Sequence, residues 1–88
     1  MNYRKIEKIG KAVANHRRIQ ILDVLNTNAR LSVVEITRKT RGNVKTIDAH
    51  VNRLFAVGMI TKRTAGNRVQ HTITKYGLSI LEFLRKQE

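Results

Sequence analysis

Residues Leu31–Ile60, LSVVEITRKTRGNVKTIDAHVNRLFAVGMI, decide the fold. Ser32 is followed three positions later by Glu35, a capping-box pattern that starts a helix at Val33. Gly42-Asn43 interrupts that helix, Asn43 caps a second one over Val44 to Val57, and Gly58 supplies the left-handed residue that stops it. Two helices joined by a tight turn thus sit in a chain with 18 Lys+Arg against 6 Asp+Glu. A short helix-turn-helix carrying so much positive charge is suited to laying a helix against DNA.

On the N-terminal side, Tyr3, Ile6, Ile9 and Val13 fall at helical spacing and predict an amphipathic first helix. Asn15 is an N-cap for a second, with Ile19, Leu22 and Leu25 on one stripe and Asn26-Thr27-Asn28 ending it. Leu31 then reads as a short extended segment. On the C-terminal side, Met59–Thr64 and Arg68–Thr74 form two β-type runs around Ala65-Gly66-Asn67, a hairpin signal. Thr74 caps a last helix carrying Leu78, Leu81, Phe83 and Leu84. The expected fold is mainly α with a small β-hairpin wing, in the order α-α-β-α-α-β-β-α. It forms one domain over residues 1–88, with no repeat or low-complexity segment.

Composition narrows the function. The formal charge of +12 favours polyanions through release of condensed counterions. Ribosomal and membrane-surface proteins share such a charge, so its placement says more: eight bases and one acid, Asp48, lie between Arg38 and Arg68. With no cysteine there is no disulfide framework and no thiolate metal site. The apolar runs are too short to cross a membrane, and no signal-peptide core opens the chain. A cytoplasmic, nucleoid-associated protein is expected. Aromatics are few, so the core should be built from Ile, Leu and Val.

Four local patterns resemble, in order, the winged helix-turn-helix regulators of the arsenical-resistance (ArsR) and multiple-antibiotic-resistance (MarR) superfamily. Asn15-His16-Arg17-Arg18-Ile19-Gln20-Ile21-Leu22 is similar to a D-P-x-R-x-x-I-L opening, with Asn-His in place of Asp-Pro. Leu31–Ile36 is similar to L-[ST]-x-x-E-L, and Leu54–Ile60 to L-x-x-x-G-[LM]-[IV]. Ile73-Thr74-Lys75-Tyr76-Gly77 is similar to the L-T-x-x-G leading from wing to last helix. The resemblance covers residues 12 to 84. It implies a recognition helix, 44–57, in the major groove and a wing, 61–72, on the adjacent minor groove or backbone. It also implies that the outer helices, 3–14 and 75–87, pair two protomers.

At about 100° per residue, Ile47, Val51 and Leu54 share one face of the recognition helix, with His50 and Phe55 at its edges. Lys45, Asp48, Ala49 and Asn52 lie opposite, with Arg53 on the flank. Lys45 and Thr46 occupy the first turn, where the helix dipole favours phosphate. Asn52 has the amide geometry to read adenine, and Val44 and Ala49 suit a thymine methyl. Asp48 either accepts from a cytosine amino group or neutralises Lys45 three residues earlier, the second being favoured. Arg41 and Asn43 in the turn, with Lys62, Arg63 and Arg68 in the wing, complete the expected DNA contacts. Along the second wing strand Val69, His71 and Ile73 alternate toward the core.

Three histidines, His16, His50 and His71, have no metal-ligand spacing, and no nucleophile–base pair appears, so no metal, cofactor or enzymatic activity is expected. Tyr3, Ile6, Ile9, Leu78, Leu81, Phe83 and Leu84 give the outer helices more apolar surface than one small domain covers, which predicts a homodimer. The expected function is a sequence-specific regulator on double-stranded DNA, its effector unknown. Two alternatives stay open: an architectural DNA-coating protein with little sequence preference, and an RNA- or ribosome-associated basic domain or protein-docking module. The absence of a stacking aromatic on the binding face argues against single-strand recognition.

Overall fold

The computed structural model covers residues 1–88. Its elements are α1 (Tyr3–Val13), α2 (His16–Thr27), α3 (Val33–Thr40), α4 (Val44–Ala56), β1 (Ile60–Ala65), β2 (Arg68–Ile73) and α5 (Lys75–Arg85). Each helix starts where a polar side chain accepts from otherwise unpaired N–H groups. Asn2, Asn15, Asn43 and Thr74 do this for α1, α2, α4 and α5. At α3 the capping box is complete: Glu35 N donates to Ser32 Oγ at 3.2 Å and Ser32 N donates to Glu35 Oε1 at 3.0 Å. The backbone N–H of Ser32, followed by its hydroxyl, holds the Glu35 carboxyl below its usual range.

The core gathers Ile21, Leu22 and Leu25 of α2, Ile36 of α3 and Ile47, Val51 and Leu54 of α4, together with Leu31, Met59, Ile60 and Leu81. It is aliphatic, as the scarcity of aromatics requires. Burying each such side chain contributes about 1.5–3 kcal/mol, and α2 is sandwiched between α3, α4, α5 and β2.

The hairpin pairs Ile60 with Ile73 and continues in register to Ala65 with Arg68, leaving Gly66-Asn67 as a two-residue turn. Its root lies on the core and its tip stands clear. His71 and Ile73 face inward as expected, but Val69 is exposed, on the rim of an open cleft it shares with Val33 and Val34 of α3.

Three expectations need correction. The strand placed between the second and third helices is a single residue: Leu31 makes one antiparallel bridge, to His71, before Ser32 turns into the cap of α3. The order is therefore α-α-α-α-β-β-α. The break expected at Gly42-Asn43 begins one residue earlier, at Arg41, which takes the left-handed conformation that ends α3, with φ 55. Gly42 is required for space instead, since a Cβ there would stand 2.8 Å from Ile47 Cδ1 and Cγ1. The third correction is Leu81. It is only 2% exposed, buried in this protomer's own core, and has no surface left for a partner.

Two distant motifs meet at the hairpin root. Gly58 adopts φ 79 just past α4, and its carbonyl accepts from Thr74 Oγ1 at 2.8 Å. Thr74 Oγ1 in turn accepts from Gly77 N. At Gly77 any Cβ would lie 2.1 Å from the Met59 carbonyl oxygen, so only glycine lets α5 start this close to the strand.

Candidate nucleic-acid interface

α4 has two unlike faces. Ile47, Val51 and Leu54 are at most 1% exposed, whereas Val44, Lys45, Thr46, Asp48, Ala49, Asn52 and Arg53 all face solvent. The packed face fixes the helix on α2 and α3, and the other is left accessible along its whole length. Asn43 is occupied as the cap: its Oδ1 accepts from Lys45 N at 3.0 Å and Thr46 N at 3.3 Å. Arg41 is exposed at the left-handed turn before it. Asp48 makes no ion pair with Lys45, contrary to the favoured reading; the single salt bridge of the molecule joins Arg85 to Asp23 at 2.6 Å. The Asp48 carboxylate thus remains available as an acceptor.

The wing and the helix touch at one polar contact. Lys62 Nζ donates to Asn52 Oδ1 at 2.5 Å and lies 4.8 Å from the centroid of the Phe55 ring. Asn52 is therefore not idle, as an adenine-reading amide would need to be. Arg63 and Arg68 are exposed farther out, toward the hairpin tip.

Sequence reading missed the arginines that brace this surface. Arg18 Nε donates to His50 Nδ1 at 3.0 Å and its Nη1 donates to the Lys11 carbonyl at 2.9 Å, tying α1, α2 and α4 together. Arg17 Nη1 donates to the Thr40 carbonyl at the end of α3, where an unpaired acceptor meets a cation favourably. The Arg of the D-P-x-R pattern was a signal for Arg18; nothing in the sequence singled out Arg17. His50 is held below its ordinary value by burial, then by the charges of Arg18, Arg17 and His16, so it stays neutral with Nδ1 as acceptor. His71 is the opposite case: its Nδ1–H donates to the Leu31 carbonyl at 2.8 Å. No three metal-ligating side chains come together, and no helix is long and apolar enough to cross a membrane.

A helix-turn-helix braced on a third helix, followed by a hairpin with a free basic tip, is a winged helix-turn-helix. Comparison with known proteins agrees. The chain is 36% identical over 69 residues to the HTH-type transcriptional regulator Rv0324 of Mycobacterium tuberculosis; the match takes in 78% of this chain but spans only 30% of that protein's length. Among solved structures it is similar to the homodimeric winged helix-turn-helix DNA-binding domain of Mb0332 from Mycobacterium bovis, described as a possible ArsR-family transcriptional regulator. That similarity has a TM-score of 0.82 and 29% identity over 92% of this chain and 75% of that one. Reduced HlyU from Vibrio cholerae superposes with a TM-score of 0.79 at 29% identity, over 98% of this chain and 90% of its own. No family model matches the sequence. The similarity is thus to winged helix-turn-helix transcriptional regulators, one of them described as a possible ArsR-family member.

Proposed function

We propose that this chain is a homodimeric, sequence-specific regulator of transcription that binds double-stranded DNA. The observation that carries the reading is the solvent-facing side of α4, polar from Lys45 to Arg53 and supported from behind by the core. Val44, Lys45, Ala49 and Asn52 enter the major groove. Arg41, Thr46, Arg53, Arg63 and Arg68 approach phosphates, the last two through the wing on the adjacent minor groove, while Lys62 meets the interface at Asn52. The homodimeric DNA-binding domain to which the chain is similar supports the same assignment. Pairing runs through the exposed Tyr3 and Ile6 of α1 and Phe83 of α5, with the half-buried Ile9, Leu78 and Leu84 at the margin. In the cell such a protein resides on the nucleoid.

Binding to a specific duplex should weaken steeply with salt, with a slope of log affinity on log salt of order −5 or beyond for a dimer. A nearly flat titration would mean that the basic surface is not the binding surface. The charge of +12 also favours a second reading, DNA coating with little sequence preference. A genome-wide binding map separates the two: discrete peaks support the regulator, even coverage the coating protein.

A further inference from the structure

An asparagine amide has two unlike ends, an oxygen that accepts and an NH2 that donates. To read adenine it must use both, accepting from N6–H while donating to N7. Which end meets the groove is decided in this molecule by the wing. Lys62 is an ammonium with donors only, so its contact with Asn52 must be made to Oδ1, and the amide orientation follows without ambiguity. The contact is charge-assisted, and the ammonium is held a second time over the Phe55 ring, one helical turn along from Asn52. Lys62 is half-buried, while Lys45, Arg53, Arg63 and Arg68 are exposed. With one of the two Oδ1 lone pairs held by the ammonium, the NH2 is the end of Asn52 with no partner.

We propose that Lys62 sets the base preference of Asn52: by capping Oδ1 with a cation it leaves the NH2 as the end that meets the groove. The pair therefore favours guanine, whose O6 and N7 both accept, over adenine, whose N6–H would have to share that oxygen with an ammonium. This rests on the DNA-reading function proposed above. Lys62 is a positioning residue in this scheme, and Asn52 the residue that meets the base.

The test is selection of binding sites from a randomised duplex pool by the full chain and by Asn52→Ala, Lys62→Met and Lys62→Arg. Met keeps the aliphatic stem against Phe55 and removes the donor; Arg keeps a donor. The position whose preference disappears in Asn52→Ala should be guanine in the wild type, favoured over adenine by about tenfold. Lys62→Met should abolish or reverse that ratio while leaving the other positions unchanged, and Lys62→Arg should retain it. Replacing that guanine by 7-deazaguanine should weaken the wild type by a similar factor and leave Lys62→Met unaffected. A wild-type preference for adenine there would mean that Lys62 leaves for a phosphate on binding, and the inference falls alone. It also falls alone if Lys62→Met keeps the guanine preference. A pool that yields no preferred sequence removes the inference and the regulator reading together.

Discussion

α1 and α5 are both eleven residues long and both carry apolar residues at helical spacing, yet they meet the bundle differently. α5 buries Gly77 and Leu81, and its first turn stands against the carbonyl of Met59. α1 buries only Ala12, and Tyr3 and Ile6 are left in solvent. An amphipathic pattern therefore says that a face needs cover without saying what covers it. For α5 most of the cover is the protomer itself. For α1 the bundle covers one edge, through Ala12, Ile9 and Val13, and leaves the N-terminal turns to something else.

The largest expected difference is in stability. Leu81→Ala should cost about 2–5 kcal/mol in urea denaturation, whereas Ile6→Ala, measured where the chain is monomeric, should stay within about 0.5 kcal/mol. Equal losses would erase the distinction between the two helices. Glycine gives a second contrast. Gly77→Ala forces a Cβ into the Met59 carbonyl and should destabilise by about 1–3 kcal/mol. Gly10→Ala, with nothing within 4 Å of the new methyl, should stabilise α1 by roughly 0.5–1 kcal/mol. Thermal melts of the two variants should move in opposite directions.

Assembly sharpens the comparison from the other side. Ile6→Glu should leave the monomer folded but shift sedimentation from near twice the chain mass of 10.1 kDa to that mass itself. A variant that still sediments as a dimer would move the interface away from α1. The smallest effect concerns the brace between α1 and α4. His50 has its folded pKa pushed below 6.5, so the unfolded chain takes up its proton first as pH falls. Its contribution is present above that value and is lost on acidification from about 6.5 to the lower folded value. His50→Gln, which keeps an acceptor for Arg18, should flatten the stability profile in this window. A profile identical to wild type would remove His50 from the account.

Helix starts were the most legible feature, because a cap is a local contract between one side chain and the next few N–H groups. Asn15, Ser32, Asn43 and Thr74 all perform as their positions predict. The buried stripe of α4 was legible for the same reason, since Ile47, Val51 and Leu54 repeat at the helical period. What stayed hidden was non-local. Leu31 looked like a strand because extended residues beside an apolar run usually pair, but its partner His71 lies 40 residues away and the α3 cap allows one bridge only. Asp48 looked paired with Lys45 on spacing alone, and exposed charges one turn apart gain too little to hold each other. Asn52 was recognisable as a groove-facing amide, while Lys62, ten residues away on another element, was invisible as its partner.

The attachment of the hairpin carries a mechanical consequence. His71 is clamped to Leu31 by two backbone hydrogen bonds, Leu31 N to His71 O at 3.2 Å and His71 N to Leu31 O at 2.8 Å, with its ring as a third tie. Nothing comparable restrains Ala65 to Arg68. A beam fixed at one end bends most at the other, so Arg63 and Arg68 ride on the part of the wing that deflects, while Lys62, paired with His71, stays at the fixed end. Charges at the tip can follow a phosphate whose position varies with local groove width, and the contact at the root keeps its geometry. Backbone amide exchange should accordingly quicken from His71 toward Asn67, a gradient along one short ribbon rather than a difference between domains.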